Sequence, residues 1–126
     1  MKAYVKQDDR GRKSVVETCD TPCPIERGMR ILGGKWTGSI LWHLKDKPVR
    51  FNDLARLIGG ASKKMITERL RQLEAQGLIE RRVIDASPIA VEYLITPFGA
   101  TALDCLDQLR IWSERLPEKL QMELAQ

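Results

Sequence analysis

Ser62-Lys63-Lys64-Met65-Ile66-Thr67-Glu68-Arg69-Leu70-Arg71-Gln72-Leu73-Glu74-Ala75-Gln76-Gly77 runs directly into Leu78-Ile79-Glu80-Arg81-Arg82-Val83-Ile84. In the first segment Ile66, Leu70 and Leu73 recur at i, i+4 and i+7, the apolar stripe of an amphipathic helix. Ser62 is a preferred N-cap and Gly77 a preferred stop, so the spacing predicts a helix from Ser62 to about Gln76. Its opposite face carries Lys63, Lys64, Thr67, Glu68 and Arg71. From Leu78 the apolar period shortens to that of a strand. A turn at Asp85-Ala86-Ser87-Pro88 and a second strand at Val91-Glu92-Tyr93-Leu94-Ile95 complete a β-hairpin.

Upstream, Asn52 is a plausible N-cap for a helix carrying Leu54, Leu57 and Ile58, which ends at Gly59-Gly60. Val49-Arg50-Phe51 is a short extended piece. Before Pro48, a helix starting near Lys35 sets Trp36, Ile40, Leu41 and Leu44 on one face. Before that, Pro24 opens a helix with Ile25, Met29 and Leu32 at helical spacing, stopped by Gly33-Gly34. Residues 1–18 show no sustained periodicity and read as an arm, partly helical where a partner subunit covers it. Downstream, Thr96-Pro97 caps a long last helix to about Arg115. Pro117 breaks it, and a short helical tail follows. The order helix, helix, small strand, helix, helix, hairpin, helix gives a mainly α fold with a small β-hairpin, the layout of a winged helix-turn-helix. The expected organisation is an N-terminal arm over 1–22, a domain over 23–116 that includes the last helix, and a C-terminal tail over 117–126.

Charge is unevenly spread along the 126 residues, whose net charge is +4. Residues 31–90 hold eleven Lys/Arg against six acids, whereas residues 91–126 hold three against six. A basic middle and an acidic end fit a middle that meets a polyanion. The chain has no run of 18 apolar residues, and its first residues lack the apolar segment of a signal peptide, so a cytoplasmic protein without a membrane span is expected. Cys19 and Cys23 have no second Cys/His pair nearby, and His43 is the only histidine, so the paired ligand spacing of a structural zinc site is missing. No metal and no cofactor is expected.

A duplex offers regularly spaced phosphates and a major groove wide enough for one α-helix. The helix after Ser62 suits that task. Ser62, Lys63 and Lys64 cluster at its N-terminus, where free N–H groups and the helix dipole favour an anion. Thr67 and Arg71 continue the same face. Two lysines there oppose the dipole at a cost of about a few tenths of a kcal/mol, an arrangement better tolerated where an anion docks. Arg50 in the short strand lies within reach of the hairpin. Arg81 and Arg82 occupy adjacent strand positions and point to opposite faces; of the two, Arg81 is the candidate contact.

The last helix carries more apolar surface than one stripe requires, with Leu103, Leu106, Leu109, Trp112 and Leu116 among its residues. A two-fold homodimer is the commonest way to cover such an excess. A two-fold pair also reads a pseudo-palindromic operator in double-stranded DNA, with half-sites about one helical turn apart. Trp112 serves equally well as a core anchor. Catalysis finds little support, because the single histidine, His43, has no acidic partner at helical spacing and no nucleophile or phosphate-loop motif occurs. The rival to a DNA-binding regulator is a winged-helix module that binds protein instead.

Taken together, Cys23-Pro24-Ile25-Glu26, Ile31-Leu32-Gly33-Gly34-Lys35-Trp36-Thr37, Arg50-Phe51-Asn52-Asp53-Leu54 and the run from Lys64 to Glu74 resemble the HxlR-type regulators, as do Val91-Glu92-Tyr93 and Leu94-Ile95-Thr96-Pro97-Phe98-Gly99. The resemblance spans about residues 23–116. It implies a homodimeric winged-helix repressor or activator with the Ser62 helix in the major groove, the last helix at the dimer interface, and Lys35 on a phosphate. Two departures stand out. Ala90 occupies a place that is often basic in the family, and the tip Asp85-Ala86-Ser87-Pro88-Ile89 has no Lys or Arg, so strong minor-groove insertion by the wing is not expected. Some relatives sense electrophiles or oxidants at the cysteine of the Cys-Pro-Ile-Glu place, here Cys23. A thiol at a helix N-terminus is more readily the reactive thiolate. Cys19 would be its resolving partner, or Cys23 would pair across the dimer. An inert, partly buried Cys23 is the other reading.

Overall fold

Three apolar positions of one helix organise the fold, and a computed structural model of the chain shows how. It describes residues 2–7, 9–18, 23–85 and 87–125. The chain divides into two compact units, residues 1–33 and 34–126.

In the first unit, β1 (Lys2–Gln7) pairs antiparallel with β2 (Lys13–Thr18), in a register that opposes Tyr4 to Val16 and Val5 to Val15. The expected arm is therefore a hairpin. Its β-branched and aromatic residues suit strands, and Gly11 takes the left-handed conformation (φ 78°) in the connection. Helix α1 (Pro24–Leu32) follows, with Pro24 in its first turn, and leaves Ile25 and Met29 exposed.

The second unit contains α2 (Thr37–His43), β3 (Val49–Arg50), α3 (Phe51–Leu57), α4 (Lys63–Ala75), β4 (Ile79–Ile84), β5 (Ala90–Ile95), α5 (Pro97–Ala100), α6 (Leu103–Ser113) and α7 (Glu118–Leu124). The strands form one antiparallel sheet in the order β3-β5-β4, with Val49 opposite Tyr93 and Arg81 opposite Tyr93 on its other side. Ile66, Leu70 and Leu73 of α4 are 0–1% exposed. They belong to a core shared with Ile40, Leu41 and Leu44 after α2's start, Leu54 of α3, Ile58, and Leu78 and Ile79 at the entry to the hairpin.

Local signals set the ends of α4. The Ser62 hydroxyl accepts from the Met65 N–H at 3.1 Å. At the other end Gly77 adopts φ 82°, the Leu78 N–H bonds the Leu73 carbonyl and the Gly77 N–H bonds that of Glu74, both at 3.0 Å. This Schellman closure turns the chain straight into β4. Thr96 then ties the far side of the hairpin to that turn, donating to the Gly77 carbonyl at 2.6 Å and accepting from the Gly99 N–H at 2.9 Å. Gly99 has to be glycine for space, since a Cβ there would lie 2.0 Å from the Leu78 carbonyl oxygen.

Four local expectations change. Trp36 is not a helical residue but the N-cap of α2, with a left-handed φ of 74°. Asn52 sits inside the first turn of α3, whose N-cap is Arg50, because β3 feeds directly into that helix. Leu57 is 53% exposed, so α3 buries Leu54 alone within its span. The long last helix is interrupted at Thr101-Ala102, giving α5 and α6, because the Thr101 and Ala102 N–H groups bond three residues back, to the Phe98 and Gly99 carbonyls, instead of four.

Leu70→Ala removes a side chain that is 1% exposed and leaves a cavity in the core. It is expected to cost about 2–5 kcal/mol, read as a lower urea midpoint at an unchanged slope.

Candidate nucleic-acid interface

Burial of Ile66, Leu70 and Leu73 dictates what the rest of α4 presents. Lys63, Lys64 and Arg71 are exposed and Thr67 is half-buried. Thr67 Oγ1 donates to the Lys63 carbonyl at 2.7 Å, which leaves its oxygen able to accept. The first turn of α4 holds no acid, so nothing there offsets the two lysines or the free N–H groups. Lys63, Lys64, Arg71, Arg50, Arg81 and Lys35 make no ion pair with the described residues. Arg110 of α6 behaves differently, being held by Asp107 at 2.9 Å and Glu114 at 3.2 Å. Lys63, Lys64 and Arg71 thus stand on the exposed face of α4 without an ion pair among the described residues.

Lys35 is brought to α4 by a contact that periodicity does not reveal. Arg69 Nε donates to the Lys35 carbonyl at 3.0 Å, and Nη1 of the same guanidinium donates to Gln72 Oε1 at 3.2 Å. Gly34 permits this approach, since a Cβ there would lie 3.3 Å from the Arg69 guanidinium carbon. The Lys35 ammonium lies 5.1 Å from the Trp36 ring centroid, and that ring packs beside Gly60 in the α3–α4 turn. The partners Lys35 and Arg69 are 34 residues apart, and no local pattern marks a pair at that separation.

The sheet separates the basic residues of the wing. Arg50 and Arg82 both stand opposite Glu92 and share its face, and Arg82 Nη1 lies 3.8 Å from Glu92 Oε1. Arg81 stands opposite Tyr93, on the other face together with Val49. Lys63, Lys64, Thr67 and Arg71 therefore share one face of α4 and Lys35 is tied to that helix, while Arg50 and Arg81 lie on opposite sides of the sheet.

On α6, Leu106 is 8% exposed and packs against α2 at Gly38. Leu103 and Leu116 are half-buried, whereas Leu109 and Trp112 are 56% and 57% exposed. Leu109 lines an apolar concavity with Trp42, Gly38, Leu106 and Ser113. Cys23 is the half-buried N-cap of α1, Cys105 is an exposed thiol on α6, and Cys19 lies outside the described residues. Among the described residues no group of three or more His, Cys, Asp or Glu side chains is placed to hold a metal ion. No described helix is long and apolar enough to cross a membrane.

Helices α3 and α4 joined through Gly60 at φ 92°, with the β4–β5 hairpin directly after them, define a winged helix-turn-helix protein. The HxlR-like helix-turn-helix family matches residues 31–121. The chain is 38% identical over 98 residues to the HTH-type transcriptional regulator YdeP of Bacillus subtilis (strain 168), covering 78% of this chain and 77% of that one. Among solved structures, the redox regulator HypR in its oxidized form superposes with a TM-score of 0.71 at 36% identity, over 76% of this chain and 99% of that one. The reduced form of the transcriptional regulator YodB from B. subtilis gives 0.67 at 33%, over 77% and 96%. The chain belongs to the HxlR-like helix-turn-helix family, whose members are DNA-binding transcriptional regulators.

Proposed function

We propose that the chain is a homodimeric, sequence-specific regulator that binds a pseudo-palindromic operator in double-stranded DNA through α4. One observation carries this reading: the helix whose apolar stripe is fully buried presents Lys63, Lys64 and Arg71 exposed on its other side, without ion pairs among the described residues. Ser62, Lys63 and Lys64 meet phosphate or base edges at the helix N-terminus, and Thr67 and Arg71 meet them one and two turns further on. Lys35, Arg50 and Arg81 add phosphate contacts from the flanks.

Dimerisation rests on α6. Leu109 and Trp112 expose large apolar surface one turn apart, and a second copy covers it while Leu103, Leu106 and Leu116 shape the seat. Cys23 is the candidate oxidant- or electrophile-responsive thiol, with Cys19 as resolving partner. Its place at the N-cap of α1 supports this reading, as does the likeness to a protein described as a redox regulator.

Lys63→Ala and Lys64→Ala are each expected to weaken duplex binding and to make log affinity less dependent on log salt by about 0.9 per lost phosphate contact. Unchanged binding in both variants, measured by fluorescence anisotropy, would favour a protein-binding module. Replacing Trp112 and Leu109 with Glu is expected to give a monomer in sedimentation, with the circular dichroism of the folded chain retained. Cys23→Ser is expected to abolish loss of duplex binding on oxidant treatment; an oxidant response equal to that of the parent would remove the sensor role.

A further inference from the structure

The tip of the wing has no cation between residues 85 and 89, so a DNA strand passing that side needs its positive charge from elsewhere. Three adjoining concavities on the surface of the second unit supply it, and Arg56 lines all three. The first lies beside Lys63 and Asn52, at the N-terminus of α4. The second runs between Asn52 and the wing residues Pro88 to Val91. The third passes Arg50 to Lys47. Asn52 and Arg56 are one helical turn apart, about 6 Å along the axis of α3. The result is a trough that begins at a cation of α4 and continues along α3 beneath the wing.

We propose that this trough holds a sugar-phosphate strand of the duplex and that Arg56 is its principal phosphate ligand. The inference rests on the DNA-binding reading above and extends the contact surface beyond α4. Charge favours this occupant. Of the two acids that line the trough, Glu92 is opposed by Arg82 at 3.8 Å and Asp53 is ion-paired to Arg56. Lys47, Arg50 and Lys63 remain without ion pairs among the described residues. The Arg56 side chain is 78% exposed and its pair with Asp53 engages Nη2. The N–H groups on Nε and Nη1 stay available for a phosphate oxygen. Asp53 acts as a positioning residue, because a guanidinium already held in place loses less rotamer freedom when it binds. Pro88 and the 70% exposed Ile89 form an apolar wall against which deoxyribose packs.

The test is the salt dependence of full-length protein binding to a mixed-sequence duplex of about three helical turns, read by fluorescence anisotropy. Arg56→Ala and Arg56→Gln are each expected to lower the slope of log affinity against log salt by about 0.9. Discrimination between strongly and weakly bound sequences should stay unchanged. Arg56→Lys keeps the charge and is expected to keep the slope. Wild-type slope in both neutral variants overturns the trough while leaving the role of α4 standing. A wild-type chain that binds no duplex at low ionic strength overturns both. Arg56 is exposed, so thermal melts matching the wild type are expected, and Gln preserves the helical stem should Ala disturb α3.

Discussion

The burial of Ile66, Leu70 and Leu73 on α4, which packs against α2 and the root of the hairpin, is the constraint from which the rest of the structure follows. A helix cannot bury one side without fixing the other, so this packing fixes the rotation of α4 about its axis and with it the direction of Lys63, Lys64 and Arg71. Ser62 at one end and Gly77 at the other fix its length and launch β4. The wing then returns to the same turn through Thr96, whose hydroxyl bridges Gly77 and Gly99. Packing and capping therefore place the basic face of α4, whose Lys63, Lys64 and Arg71 make no ion pair among the described residues.

Elements marked by strong local chemistry were legible in the sequence. The stripe on α4, its Ser62 cap and Gly77 stop, and the hairpin period all depend on residues within a turn or a strand of one another, and each appears where those residues require. The departures occur where tertiary fit overrides a local preference. Asn52 is a good cap, yet β3 pairs with β5 through Arg50 and so moves the helix start forward. Trp36 fits a helical apolar pattern, yet the turn held by Arg69 puts it in the left-handed region. Residues 1–18 lack the alternation of a half-buried strand, but Tyr4, Val5, Val15 and Val16 favour extended backbone and pair with one another.

The site was partly legible for a related reason. Cations on one helix face can be read from spacing, and Lys63, Lys64 and Arg71 share that face. Spacing shows that Arg81 and Arg82 diverge, but the strand order decides which of them accompanies Arg50, and Arg82 does. Arg69 and Arg56 carried no sequence signal as functional residues. The first acts through a carbonyl 34 positions away. The second matters because α3, the wing and α4 meet around it. On α6 the surplus of apolar residues was visible, but only the packing of Leu106 against α2 separates the inward side from the exposed Leu109 and Trp112.

The most direct test of the central claim, that the cationic side of α4 lies against the duplex, is an amide-resolved NMR titration of the full chain with operator DNA. The largest shift changes are expected on residues 62–71, with the buried positions Ile66 and Leu70 moving less than Lys63, Lys64 and Arg71. Saturable binding whose changes spare residues 62–71 and fall on α6 instead would contradict it.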